Sequence, residues 1–176
     1  MRSLIKIIFG NVVFRVIVFA AFAIYGYFTL SDSESDDTVR DKSGEVIEGG
    51  DVGALVLQIG DCFQFPKGFI ELEEDESQTY EKLSVVPCTD LHDAEIISSR
   101  TLFRTDFPGE DAFGGELSDF CVDDYRSYTG FELYADGPHS ISTLYPTQEG
   151  WDQGDKEILC AVRMENGEKL GASVRG

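Results

Sequence analysis

Positive charge is scarce in this chain. It holds 14 Lys and Arg against 33 Asp and Glu, a formal net charge of −19 over 176 residues. Three of the bases, Arg2, Lys6 and Arg15, fall in the first thirty positions, where no acid occurs. The rest of the chain is therefore more acidic than the total suggests. A phosphate backbone would be repelled by such a surface, and no Lys/Arg cluster offsets it, so nucleic acid is excluded as a partner. Motifs are also lacking. There is no G-x-S-x-G, no phosphate-cradling glycine loop and no metalloprotease helix, so those enzyme classes find no support. No repeat or heptad runs through the chain, which removes solenoids and coiled coils. No cysteine pair has the C-x₂₋₄-C spacing of a structural zinc site, and no metal or cofactor is expected. What is present is 42% apolar residues, enough for a packed core and too many for wholesale disorder.

The apolar residues are unevenly spread. Ile7 to Leu30 reads IIFGNVVFRVIVFAAFAIYGYFTL, polar only at Asn11, Arg15 and Thr29. Roughly 20 apolar residues span a hydrocarbon core of ~30 Å. The sequence predicts a span over about Phe9–Leu30, within an anchor of residues 1–30, with Arg15 snorkelling to the headgroups. Tyr25 and Tyr27 would sit at the far interface, and the preceding bases keep the N-terminus inside. A cleaved signal peptide is the rival reading, weakened by large residues and the absence of A-x-A at the exit. Either way residues 31–176 are expected outside the cytoplasm.

Ser31–Gly53, SDSESDDTVRDKSGEVIEGGDVG, is acidic and has few apolar residues. Its composition predicts a disordered linker over residues 31–53, since little burial is available to offset ordering entropy. Such a tether would reach about 25 Å. A second acidic patch, Glu71–Glu76, reads as a loop or sheet edge.

Residues 54–176 are then the folded domain. Ala54–Ile59, Leu83–Pro87, Glu95–Phe103, Ile141–Tyr145 and Glu157–Val162 read as short strands. Thr105–Gly115 is rich in Asp, Gly and Pro and reads as loop. Within Glu116–Tyr128, Leu117, Phe120, Cys121 and Tyr125 recur at helical spacing, and Gly130 would end that helix. Gly167 marks a turn after the last strand. Several strands and one main helix indicate a small α+β domain.

Four cysteines, Cys62, Cys88, Cys121 and Cys160, all follow the apolar segment. Outside the cytoplasm an even number reads as disulfides, with three connectivities open. Cys62–Cys88 with Cys121–Cys160 is preferred. The first would join neighbouring strands, and the second would pin the helix onto the strand Glu157–Val162. Loops of these lengths are worth about 3.5 and about 4 kcal/mol in the entropic account.

Candidate chemistry gathers in Pro87-Cys88-Thr89-Asp90-Leu91-His92-Asp93-Ala94-Glu95. Histidine, carboxylates and cysteine this close invite a nucleophile or a ligand set. A disulfide sulfur, however, is no thiolate. The competing role for His92 is structural, closing the turn after Cys88. His92, Asp93 and Glu95 are binding candidates, and no residue is assigned as catalytic. Trp151, the single tryptophan, is a fourth candidate if exposed and a core plug if buried. Asp61 and Asp155 each follow a glycine and are expected to cap their own turns.

Taken together these residues resemble a family. Gly60-Asp61-Cys62-Phe63 is followed by Val86-Pro87-Cys88 and His92-Asp93-Ala94-Glu95. Cys121 in a helix comes next, then Pro146, Trp151, Gly154-Asp155-Lys156 and Cys160, then Gly171-Ala172-Ser173 and Arg175-Gly176. The set resembles the septum formation domain family of actinobacterial membrane proteins over about Leu55–Gly176. Lys156 stands where relatives commonly carry Arg, and the insert Glu71–Glu81 is more charged than usual. The resemblance implies an extracytoplasmic domain behind a single membrane span, concerned with septation and the cell envelope. The expected function is a non-enzymatic module of the cell membrane that binds an envelope or division protein. A hydrolase or thiol-exchange enzyme using His92, and a sensor domain, are the alternatives.

Overall fold

The computed structural model describes residues 36–53, 56–66, 82–113, 115, 117–133 and 137–176. The expected membrane span, residues 31–35 of the expected linker and the acidic patch Glu71–Glu76 lie outside these. Among the described residues no helix is long and apolar enough to cross a membrane.

The described elements run β1 (Val39–Arg40), β2 (Val46–Glu48), β3 (Gly50–Gly53), β4 (Cys62–Gln64), β5 (Lys82–Val86) and β6 (Ala94–Thr101). Then come α1 (Glu110–Phe113), α2 (Phe120–Thr129), β7 (His139–Leu144), α3 (Gln148–Gln153) and β8 (Glu157–Met164). Strands β1 and β2 form a two-stranded sheet. The other six form an antiparallel sheet in the order β3-β5-β4-β6-β8-β7. The domain is α+β, as its residues predict.

Strand β8 sits inside the sheet with both faces covered. Ile158, Cys160 and Val162 point into one core cluster, with Phe113, Phe120, Cys121, Tyr125 and Trp151. Leu159 and Ala161 alternate into the other, with Val46, Val52, Phe63, Val85 and Ile96. This period of two, apolar on both faces, is why Glu157–Val162 reads as an unbroken apolar run. A register shift between Ile96 and Ser98 interrupts the β6–β8 ladder, and Ile96 and Ile97, adjacent along the strand, face different clusters by simple alternation.

Helix α2 begins at Phe120 rather than Glu116; Leu117, Ser118 and Asp119 are in turns before it. Its end is as expected. Gly130 adopts φ 78° and its N–H reaches the Arg126 carbonyl at 2.9 Å, a left-handed stop that glycine takes without a Cβ clash. Helix α3 is not predicted by the residue pattern, because six residues are too few to show periodicity. It is held by Thr147, whose Oγ1 accepts from the Gly150 N–H at 3.1 Å. A single turn of helix, α1, interrupts the expected loop Thr105–Gly115.

Two expectations need correction. Ala54–Ile59 is not a strand over its described residues; Ile59 and Gly60 form a turn, closed by the Gln58 N–H on Asp61 Oδ2 at 2.8 Å. The linker is also wrong over residues 36–53, which carry three strands, β3 among them as an edge of the main sheet. Composition misled here for two reasons. Val46 and Val52 are buried in the core, so few apolar residues suffice. The glycines serve close approach: a Cβ on Gly50 would lie 2.5 Å from the Asp37 backbone, and one on Gly49 2.7 Å from the Val85 carbonyl oxygen. Arg40 completes the docking with a two-pronged contact to buried Asp61, at 2.6 and 2.9 Å.

Candidate functional site

Adjacent strands bring the candidate residues together. Cys62 on β4 has Val86 of β5 as its partner on one side and Glu95 of β6 on the other. Cys88 stands in the turn just after β5 and bonds back to Cys62, with Cα atoms 5.2 Å apart. The second bridge joins Cys121 on α2 to Cys160 on β8, with Cα atoms 5.6 Å apart. Both preferred pairings are those observed, and no free cysteine remains.

Glu95 is fully buried, and three donors converge on its carboxylate. The Tyr128 hydroxyl and the Ser173 hydroxyl each donate to Oε1 at 2.7 Å, and the Val174 N–H donates to Oε2 at 2.7 Å. Every partner is a donor, the set an acceptor-only carboxylate requires. Burial first, and then the hydrogen bond to Glu95 and its charge, push the Tyr128 hydroxyl up to about 12. The C-terminal segment thus clasps the sheet. Gly176 N–H reaches the Tyr128 carbonyl at 3.1 Å, and the Arg175 guanidinium lies 4.7 Å over the Tyr128 ring.

Asp93 and His92 fasten the same segment. Asp93 Oδ1 accepts from Lys169 Nζ at 2.7 Å and Oδ2 from the Phe65 N–H at 2.8 Å. Lys169 also donates to Gln64 Oε1. The backbone of His92 exchanges hydrogen bonds with Leu170 at 3.0 and 2.8 Å. Its Nδ1 lies 2.8 Å from the Asp90 carbonyl oxygen, a pure acceptor, so Nδ1 is a donor there. The ring has no exposed surface, and Nε2 has no hydrogen-bond partner among the described residues.

Trp151 is 1% exposed. Its indole N–H donates to the Thr105 carbonyl at 3.0 Å, and Lys156 Nζ lies 3.7 Å over the ring. Phe107 and Phe113 meet it edge-on. It is the plug, and no face of it is left for an exposed anchor. The turn caps also form. The Glu157 N–H reaches Asp155 Oδ1 at 3.1 Å, while burial pushes the Asp155 carboxyl above its ordinary value.

Among the described residues one trio of ligand-type side chains converges: Cys62 Sγ, Cys88 Sγ and a Glu95 oxygen lie within 4.8 Å of one another. With the sulfurs bonded to each other the trio has no thiolate to offer a metal. The four candidates His92, Asp93, Glu95 and Trp151 therefore divide. The first three gather where the C-terminal segment meets β4 and β6, and Trp151 belongs to the other core cluster. Sequence reading missed Tyr128, Ser173 and Lys169, the partners that explain the buried acids. For Tyr128 and Lys169 the signal was indirect, since buried carboxylates require donors from somewhere in the chain; Ser173 stood in the Gly171-Ala172-Ser173 block, with no role attached to it.

A family model described as septum formation matches residues 72–175, more than half of the chain. The chain belongs to the septum formation family. Neither curated proteins nor solved structures give a match.

Proposed function

We propose that this protein is a non-enzymatic, membrane-anchored module of the cell envelope whose outer domain binds a protein partner during septum formation or wall organisation. Family membership supports the division context. The observation that carries the binding reading is Phe103, 99% exposed on the stretch that follows β6. Arg104, beside it, is exposed and has no ion-pair partner among the described residues. Arg100, on the same strand end, stacks over the Phe120 ring at 3.8 Å. Aromatic and arginine side chains dominate the energetics of protein interfaces. A cationic spot on an otherwise acidic surface selects an acidic partner.

A catalytic role for His92 has less support, since no substrate reaches the ring unless the fold opens. The binding reading is tested by placing a photo-crosslinking residue at position 103 of the full-length chain in intact cells. A discrete adduct with a division or envelope protein is expected, together with loss of septal localisation in the Phe103→Ser, Arg104→Glu variant. No adduct and unchanged localisation would refute it.

A further inference from the structure

The two disulfides lie in different surroundings. Cys121 and Cys160 are 1% and 0% exposed and share a cluster with Phe120, Tyr125 and Trp151. Cys88, in contrast, is only partly buried, in the turn Pro87–Asp90, while its partner Cys62 is 0% exposed. Of the two bridges only this one includes a residue at the surface, and its Cys88 sulfur lies 3.3 Å from the Gly60 carbonyl oxygen. The Glu95 carboxylate lies within 4.8 Å of both Cys62 and Cys88 sulfurs.

We propose that Cys62–Cys88 is a thiol-exchange site, with Cys88 as the sulfur attacked by a dithiol and Glu95 as the residue that restrains its opening. One thiolate of the dithiol attacks Cys88 Sγ. The Cys62–Cys88 bond breaks and its electron pair leaves on Cys62 Sγ, which takes a proton from water. The second thiol of the donor loses its proton to solvent and attacks the mixed disulfide, releasing Cys88 as a thiolate that is then protonated. The donor is oxidised to its disulfide, and two electrons and two protons pass to the protein. The leaving Cys62 sulfur gains negative charge in the transition state, and the Glu95 charge opposes it. Departure is slow while that carboxylate is in place. This assignment stands independently of the partner-binding reading.

The test uses the full chain treated with graded dithiothreitol, quenched with a maleimide and mapped by mass spectrometry. Cys62 and Cys88 should be labelled while Cys121 and Cys160 stay bonded, and a monothiol such as 2-mercaptoethanol should be trapped on Cys88. Simultaneous labelling of all four, prior labelling of Cys121 and Cys160, or trapping on Cys62 would overturn the proposal. Glu95→Gln should open on the order of tenfold faster at equal thiolate concentration, given a charge pair at this distance. Ser173→Ala, which loosens the clasp and keeps the charge, should stay within about twofold, far below that electrostatic effect. Equal acceleration by both variants, or none by a folded Glu95→Gln, would remove Glu95 from the assignment. The mapping on the unaltered chain decides the site even if Glu95→Gln fails to fold.

Discussion

Glu95 and Tyr128 meet at 2.7 Å, a carboxylate on the central strand β6 and a phenol on the last turns of α2. The contact ties the helix to the sheet, and Ser173 and Val174 tie the C-terminal segment to the same carboxylate. Three elements distant in sequence therefore depend on one buried acid. Tyr128→Phe should cost roughly 1.5–3 kcal/mol, the range for a hydrogen bond to a charged group. Ser173→Ala, nearer the surface, should cost about 0.5–1.5 kcal/mol. Urea unfolding of the two variants checks the order; a larger loss in Ser173→Ala would contradict it.

The Cys121–Cys160 bridge closes a span of 39 residues between α2 and β8. In the entropic account it is worth about 4 kcal/mol, and Cys62–Cys88 about 3.5 kcal/mol. Replacing Cys121 and Cys160 together by alanine should lower the melting temperature at least as far as replacing the other pair. Calorimetry on the two double variants measures it.

Arg40 fixes the region first read as a tether. Its guanidinium is mostly covered, and Asp61 is buried beneath it. Arg40→Ala leaves that carboxylate without its cation, at the lower end of about 3–5 kcal/mol for a broken buried pair. Limited trypsin digestion reads the docking directly. The unaltered chain should resist cleavage at Lys42, and the variant should be cut there.

Trp151 fills the space among Phe107, Phe113 and Lys156. Trp151→Ala should cost about 3–5 kcal/mol, as large-to-small changes in a packed core do. Trp151→Phe should cost less while still losing the bond to Thr105. Tryptophan fluorescence of the native chain should be blue-shifted and weakly quenched by iodide.

His139 Nδ1 and the Tyr125 hydroxyl share a hydrogen bond at 3.0 Å, and burial holds the imidazole below the ordinary value of 6.5. The unfolded chain therefore takes up a proton at higher pH than the folded one. Its contribution to stability is complete above about 6.5 and is lost as pH falls through the folded value. Unfolding free energies at pH 7.5, 6.5 and 5.5 should decline, and His139→Gln should flatten that decline. An unchanged slope in the variant would assign the effect elsewhere.

The elements read most easily from the residues are those whose neighbours impose a simple period. Strand β8 alternates between two apolar clusters, and α2 carries Cys121 and Tyr125 on one face before a glycine stop. Strand β4 was legible only as a strand bearing Cys62, and β3 was not legible, because four residues show no period and its ladder comes from β5. The candidate site was half visible. His92, Asp93 and Glu95 stood out as residue types, yet nothing local shows that Lys169, Tyr128 and Ser173 supply their partners.

Composition and spacing by themselves determined the acidic surface, the α+β class and the family resemblance, because each is a property of the residues or of contacts close along the chain. Tertiary structure alone decided that residues 36–53 join the fold, that Trp151 is enclosed, and that the C-terminal segment closes over Glu95. It also chose one cysteine pairing among three. Those outcomes rest on contacts between residues far apart in the chain, and the free energy of such a contact depends on what surrounds it after folding.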